Sequence, residues 1–136
     1  LKAKYERMET EITEWEEVKA DDAELLIVAF GIAARVSLTA VQRLRAAGIK
    51  AGLLRPKTLF PFPRRRLAEL ASAGDLRRAA VVEMNIGMMA DDVQLALPDV
   101  VEVTRCNWLG GRVPTTEQVM ELAAAGLTEV PTGAGA

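Results

Sequence analysis

Short apolar runs that alternate with amphipathic segments constrain the fold of this chain most strongly. Each run is apolar almost throughout, which is typical of a strand buried on both faces of a parallel sheet. The predicted strands are Leu25–Phe30, Ile49–Leu54, Ala79–Met84 and Val100–Thr104. Strands that alternate with helices form right-handed β-α-β units. The sequence therefore predicts an α/β fold, with a mainly parallel sheet inside a three-layer α/β/α domain.

The segments after the predicted strands carry apolar side chains at helical spacing. Gly48 ends the first helix, Pro98 ends the third, and Thr115 with Gln118 forms a capping box at the start of the last. The side chains expected to face the core are Ala34, Leu38, Val41, Leu44, Ala47, Leu67, Leu70, Ala71, Met89, Val93, Leu97, Val119, Leu122 and Ala123.

The first 24 residues differ from the rest in charge. They hold four basic and nine acidic side chains, a net charge of −5, whereas the remainder carries +3. Apolar residues from Leu1 to Trp15 fit one face of a helix, but Ile12–Val18 also alternates as a strand does. Periodicity therefore leaves two alternatives open: one long helix, or a helix through Met8 followed by an extended stretch. We expect residues 1–24 to form an acidic leader in which an edge strand is one possibility. We expect residues 25–127 to form the α/β domain and residues 128–136 to be a disordered tail.

Composition argues against several classes of protein. A nucleic-acid binder needs a concentrated basic stripe, and a membrane helix needs about 20 apolar residues; neither pattern is present. We expect no secretion signal, and the single cysteine, Cys106, suits a cytoplasmic location. The sequence has no histidine, which removes the commonest general base and metal ligand. We therefore expect no catalytic residue and no metal site in this chain.

Two residues at predicted strand ends are candidates for ligand binding. Gly31 precedes a helix, where backbone N–H groups can hold a phosphate. Because the Gly-x-Gly-x-x-Gly fingerprint is missing, a tight turn with close helix packing is the favoured interpretation, and Gly31 is a weak cofactor-binding candidate. Glu83 ends an apolar strand, where a carboxylate must be exposed, paired or hydrogen-bonded. We favour a tie from Glu83 to a nearby turn or to Arg55 over a ligand-binding role.

A segment of phenylalanines and prolines leads directly into three arginines at the start of the second predicted helix. Phe60 and Phe62 alternate with prolines, which makes a stiff apolar projection that either folds onto the core or docks on a partner. Arg64–Arg66 open the helix, where positive charge opposes the helix dipole. We interpret these arginines as solvated, with an acidic partner surface as the alternative.

Three sequence blocks occur in order along the chain: VAFGIAAR (Val28–Arg35), GIKAGLLRPKTLFPFP (Gly48–Pro63) and VVEMNIGMMADDV (Val81–Val93). Together they resemble the carboxy-terminal domain of 2-oxoacid:ferredoxin oxidoreductase alpha subunits. The resemblance runs from Lys4 to Leu127. It departs from the family at Met88, where the family usually has glutamine.

This resemblance implies the fold of the transketolase carboxy-terminal domain. That fold is a five-stranded, mostly parallel sheet with an antiparallel edge strand, which favours a strand around Ile12–Val18. The resemblance also implies that the holoenzyme decarboxylates a 2-oxoacid, such as 2-oxoisovalerate or 2-oxoglutarate, to acyl-coenzyme A. The implied cofactors are thiamine diphosphate, Mg²⁺ and iron–sulfur clusters, with coenzyme A as cosubstrate. None is expected in this fragment, which we predict to be inactive alone.

The resemblance implies partners as well. They are the upstream pyrimidine-binding domain of the same subunit, the beta and gamma/delta subunits and, through the holoenzyme, ferredoxin; neither nucleic acid nor membrane is expected. We expect a dimer, with this domain acting in subunit assembly and at the active-site or coenzyme A entrance. Interface or ligand candidates are Arg55, Phe60, Phe62, Glu83, Asn85, Gly87 and Met88. The alternative is a stand-alone flavodoxin-like nucleotide-binding domain or a protein-interaction module.

Overall fold

The computed structural model describes residues 14–57, 62–84, 88–108 and 112–127. The strands are β1 (Trp15–Val18), β2 (Leu25–Ala29), β3 (Ala51–Pro56), β4 (Arg78–Glu83) and β5 (Glu102–Asn107). The helices in these ranges are α1 (Ile32–Ala46), α2 (Arg64–Ser72), α3 (Met88–Ala96) and α4 (Thr116–Ala123). The predicted tail, 128–136, lies outside the described residues.

The five strands form one sheet in the order β1-β3-β2-β4-β5. β1 runs antiparallel to β3 at one edge, and every other neighbouring pair is parallel. This arrangement confirms the predicted α/β class and the antiparallel edge strand. Within the leader, Trp15–Val18 is a strand, as the extended alternative and the family resemblance predict, whereas residues 1–13 lie outside the described part of the chain.

Alternate residues of the central strands point to opposite faces of the sheet and create two cores. Leu25, Ile27 and Ala29 of β2 pack with α1 and α4 on one face. Leu26 and Val28 pack with α2 and α3 on the other. β2 is buried along its whole length, as its unbroken apolar sequence predicts.

The turn after β1 lies against the backbone of β3. A Cβ on Gly52 would be 2.6 Å from the carbonyl oxygen of Lys19 and 3.0 Å from the Cα of Ala20. Lys19 has a φ of 55°, in the left-handed region, and its carbonyl accepts a 2.9 Å hydrogen bond from Arg45. Only glycine at position 52 leaves room for this turn.

Acidic side chains of the leader pair with basic side chains of the domain. Asp22 binds Arg45 at 2.6 Å, and Glu16 binds Arg55 at 3.0 Å. The hydrogen bonds from Arg45 hold the pKa of the Asp22 carboxyl below its usual range. The charge difference between leader and domain is therefore partly neutralised within the chain.

Arg78 ties the last helix to the sheet. Its side chain is buried at the start of β4 and donates hydrogen bonds to the backbone carbonyls of Ala123 and Ala125 at 3.0 and 2.5 Å. The same guanidinium pairs with Glu102 at 2.8 Å. These contacts give hydrogen-bond partners to carbonyls at the end of α4.

Some predicted boundaries and orientations were wrong. β5 begins at Glu102 instead of Val100, and Val100 is 83% exposed. Leu122 is exposed although its spacing placed it inward, whereas Val119 and Ala123 of the same helix are buried as predicted. Ala47 lies beyond α1 and is exposed. The capping box of Thr115 and Gln118 is confirmed, with both reciprocal hydrogen bonds present. No helix in the described ranges is long and apolar enough to cross a membrane.

Candidate functional site

The carboxyl edge of the sheet is the candidate functional region. The four parallel strands end there, and β1 begins there because it runs antiparallel. Open α/β sheets place functional groups at this edge. Two of the described candidates from the sequence, Arg55 and Glu83, lie at or near this edge.

Glu83 is a buried helix cap. Its carboxylate is 4% exposed and accepts hydrogen bonds from the backbone N–H groups of Met89 at 2.8 Å and Ala90 at 2.9 Å. A carboxylate in this position satisfies otherwise unpaired donors and complements the helix dipole of α3. The prediction that Glu83 hydrogen-bonds to a neighbouring segment is therefore confirmed, with the start of α3 as the partner. The prediction of Arg55 as the alternative partner was wrong.

Arg55 lies on the opposite face of the sheet from Glu83. Alternate residues of a strand point to the same face, so Arg55 shares the face of Leu53, which packs in the core beneath α1. Glu83 shares the face of Val81, which packs in the core beneath α2 and α3. Arg55 pairs with Glu16, and both line a shallow depression between β1 and α1. The structure therefore does not bring these two candidates together.

Gly31 forms the turn between β2 and α1. Its φ of 65° and ψ of −135° are reached easily only by glycine, which supports the predicted tight turn. The predicted close packing was wrong, because a Cβ at Gly31 would meet nothing within 4 Å. The first turn of α1 contains no acidic residue.

Arg66 has its partners within the chain. Its guanidinium binds Glu17 of β1 through two hydrogen bonds of 2.5 and 2.9 Å, and also contacts Asp21 at 2.7 Å and Glu69 at 3.3 Å. The hydrogen bonding from Arg66 is the main cause that lowers the pKa of the Glu17 carboxyl, and a hydrogen bond from Trp15 also lowers it. The interpretation of the three arginines as solvated was wrong for Arg66, because sequence cannot show that the acidic leader folds back beside α2.

The remaining candidates are described only in part. Phe62 is 5% exposed and belongs to the α2–α3 core of this chain, so its role in an interface stays a prediction. Phe60, Asn85 and Gly87 lie outside the described residues. Met88 begins α3, and its side chain is also outside the described part.

Exposed apolar side chains at the same edge were missed by the sequence analysis. Phe30 is 46% exposed, Ile32 51% and Trp15 36%. Trp15 of β1 lies opposite Pro56 of β3. Val28 of β2 lies opposite Leu54 of β3, so Phe30, two residues further on, is at the same height along the sheet as Pro56. The sequence did contain a signal for the exposure of Phe30. Phe30 is the last residue of the predicted strand and directly precedes the turn glycine Gly31, and strand ends are less buried than strand centres.

Two observations bear on metal binding and nucleophilic reactivity at the described residues. No group of three metal-ligating side chains occurs among them. Burial raises the pKa of the Cys106 thiol to about 11, so this cysteine is a poor nucleophile at neutral pH. The edge also exposes the apolar side chains of Trp15, Phe30 and Ile32.

Comparisons of the sequence with known proteins point to one group of enzymes. The profile of the pyruvate:ferredoxin oxidoreductase core domain II matches residues 23–119. The ketoisovalerate oxidoreductase subunit VorB of Methanothermobacter thermautotrophicus is 44% identical over 121 residues, which are 89% of this chain and 34% of that protein. The 2-oxoglutarate synthase subunit KorA of Methanothermobacter marburgensis is 32% identical over 100 residues, covering 74% of this chain and 26% of that protein. The chain thus spans about a third of the length of these curated relatives.

Comparisons with solved structures bear on the fold. The 2-oxoglutarate:ferredoxin oxidoreductase from Magnetococcus marinus matches with a TM-score of 0.70 and 22% identity, over 85% of this chain and 20% of that chain. A split-gene transketolase, solved as an inactive beta4 tetramer, matches with the same score and identity over 85% of this chain and 42% of that chain. At this identity the matches show the architecture, which is the predicted transketolase-like one.

Proposed function

Since the chain belongs to the pyruvate:ferredoxin oxidoreductase core domain II family, we propose that it is a non-catalytic domain of a 2-oxoacid:ferredoxin oxidoreductase alpha subunit. The observation that carries the proposal is the 44% identity to a ketoisovalerate oxidoreductase subunit across 89% of this chain. The holoenzyme would convert a 2-oxoacid and coenzyme A to acyl-coenzyme A and pass electrons to ferredoxin. This domain contributes to assembly and borders the active-site or coenzyme A entrance.

The described residues do not fit the cofactors that such a holoenzyme needs. An iron–sulfur cluster requires several cysteines, and the whole sequence contains one. A magnesium diphosphate site requires a set of oxygen ligands, and the described part of the chain shows no such cluster. Thiamine diphosphate, Mg²⁺ and iron–sulfur clusters accordingly belong to other domains and subunits in this proposal, and no step of the reaction is assigned to this chain.

The proposed setting is a cytoplasmic complex. The partners are the pyrimidine-binding domain of the same subunit, the beta and gamma/delta subunits and ferredoxin, in a dimeric assembly. Support comes from the relatives, which are named as subunits of oxidoreductases or synthases.

The proposal is tested by activity measurements on the chain and on a complete enzyme. The chain alone, supplied with thiamine diphosphate, Mg²⁺, coenzyme A, ferredoxin and 2-oxoisovalerate or 2-oxoglutarate, is expected to form no acyl-coenzyme A. A complete oxidoreductase containing this chain is expected to turn over, and to fail when residues 23–127 are deleted. Turnover by the chain alone would refute the non-catalytic role. Heat stabilisation of the chain by a nucleotide would instead favour the flavodoxin-like alternative.

A further inference from the structure

A short acidic segment, residues 15–22, covers one edge of the sheet and is called here the strap. It consists of β1 and the turn that follows, and it carries four acidic side chains and one basic side chain, a net charge of −3. β1 pairs with β3 along only four residues. Because β1 is the edge strand, its backbone pairs with the sheet along one side only.

The strap buries few apolar side chains. Ala20 is buried and Val18 is half-buried, whereas Trp15 is exposed. By contrast, all five residues of β2 are buried. Since the burial of apolar surface is the dominant favourable contribution to folding, the strap is held less firmly than the central strands.

Ion pairs connect the strap to α1, β3 and α2. Every acidic side chain of the strap pairs with an arginine outside it. The pairs are Glu16–Arg55, Glu17–Arg66, Asp21–Arg66 and Asp22–Arg45. The carboxylates of Glu16, Asp21 and Asp22 are exposed, so dissolved ions reach these pairs and weaken them. The attachment of the strap therefore depends on salt, whereas the apolar attachment of β2 does not.

The turn of the strap is strained. Lys19 has a φ of 55°, and within the described ranges it is the only residue other than glycine with a positive φ. This left-handed conformation is unfavourable for a residue with a side chain. Arg45 holds the turn, because its guanidinium donates a 2.9 Å hydrogen bond to the carbonyl of Lys19 and pairs with Asp22. Strain of this kind persists only where surrounding contacts enforce it, so weakening the contacts of Arg45 favours release of the turn.

We propose that the strap is a salt-responsive element, which detaches from β3 as a unit while the rest of the domain stays folded. Low apolar burial, screened ion pairs and a strained turn all favour opening at this place. Opening frees the acidic leader from the domain and leaves the outer edge of β3 unpaired. The two cores stay intact, because they are formed almost entirely by β2, β3, β4 and the helices. The strap opens in this way whichever complex contains the chain, so the proposal does not depend on the proposed function.

Hydrogen exchange on the full chain tests the proposal, with each amide followed in about 0.05 M and about 1 M sodium chloride. The amides of β1, and those of β3 that point towards β1, are expected to exchange about tenfold faster or more at the higher salt concentration. The amides of β2 and β4 are expected to exchange at the same rate in both.

A matched pair of variants separates the ion pairs of the strap from other surface pairs. Arg45→Gln with Arg66→Gln should give fast exchange of β1 at both salt concentrations. The control, Arg43→Gln, removes the exposed pair of Arg43 with Glu117 between α1 and α4 and should behave as the wild type does. If the double variant does not fold, the salt dependence of the wild type decides alone. Exchange of β1 that does not respond to salt, or that quickens together with that of β2 and β4, would overturn the proposal, as would a folded double variant with wild-type exchange at β1.

Discussion

Gly52→Ala tests how tightly the leader packs against the sheet. The added methyl group would lie 2.6 Å from the carbonyl oxygen of Lys19 and 3.0 Å from the Cα of Ala20, well inside van der Waals contact. Both neighbours are backbone atoms, so no side-chain rotation relieves the clash. The φ of Gly52 is not positive, and the cost is therefore steric.

The expected destabilisation follows from what must move. Lys19 already has a left-handed φ of 55°, and its carbonyl accepts a hydrogen bond from Arg45. A shift of the turn strains this bond and displaces β1. Overpacking of this kind costs about 1–3 kcal/mol in the free energy of unfolding. For a domain of this size each kcal/mol lowers Tm by about 3–6 °C.

Urea unfolding gives the free energy, and hydrogen exchange locates the change. The amides of β1 should lose protection first, while those of β2 and β4 keep it. Gly74→Ala is the control, because a Cβ there meets nothing within 4 Å and only its φ of 91° is unfavourable. That control should cost about 1 kcal/mol without affecting β1. A Gly52→Ala variant as stable as the wild type, with β1 fully protected, would refute the argument.

Three further predictions concern single side chains. Glu83→Ala leaves two buried N–H groups of α3 without acceptors and should cost about 2–4 kcal/mol by urea unfolding, with Glu83→Gln costing less; equal stability of all three proteins would contradict the cap. Ser37→Ala should be neutral or stabilise by up to about 1 kcal/mol, because the buried Ser37 hydroxyl has no hydrogen-bond partner in the described structure; a clear loss of stability would show a hidden partner. The pKa of Glu17 is lowered in the folded state, so its contribution to stability is complete above the ordinary carboxyl pKa and is lost as pH falls through the lowered value. Glu17→Gln should therefore flatten the fall in stability below about pH 4.3, and a pH profile identical to that of the wild type would contradict the role of Arg66.

The architecture could be predicted from the sequence because it depends on local patterns. The continuous apolar run of β2 indicates a strand buried on both faces, and the capping box of Thr115 and Gln118 fixes the start of α4. β5 was placed too early for a related reason. β5 is an edge strand that contains exposed charged residues, Glu102 and Arg105. The apolar pair Val100 and Val101 just before it therefore looked more like the start of a strand than Glu102 did.

The contacts of the candidate site depend on tertiary structure and could not be predicted. Glu83 was expected to need a partner, but the donors are backbone groups of α3, which side-chain patterns do not reveal. Arg66 pairs with Glu17, 49 residues away, only because β1 forms beside β3. The antiparallel direction of β1 came from the family resemblance, since periodicity alone left helix and strand equally open.

The central claim is that this domain is necessary to a 2-oxoacid:ferredoxin oxidoreductase without carrying out its chemistry. The most direct measurement is acyl-coenzyme A formation, with ferredoxin as acceptor, by three preparations. These are the chain alone, the complete enzyme, and the complete enzyme without residues 23–127. The account predicts turnover by the complete enzyme only. Turnover by the chain alone, or undiminished turnover after the deletion, would contradict it.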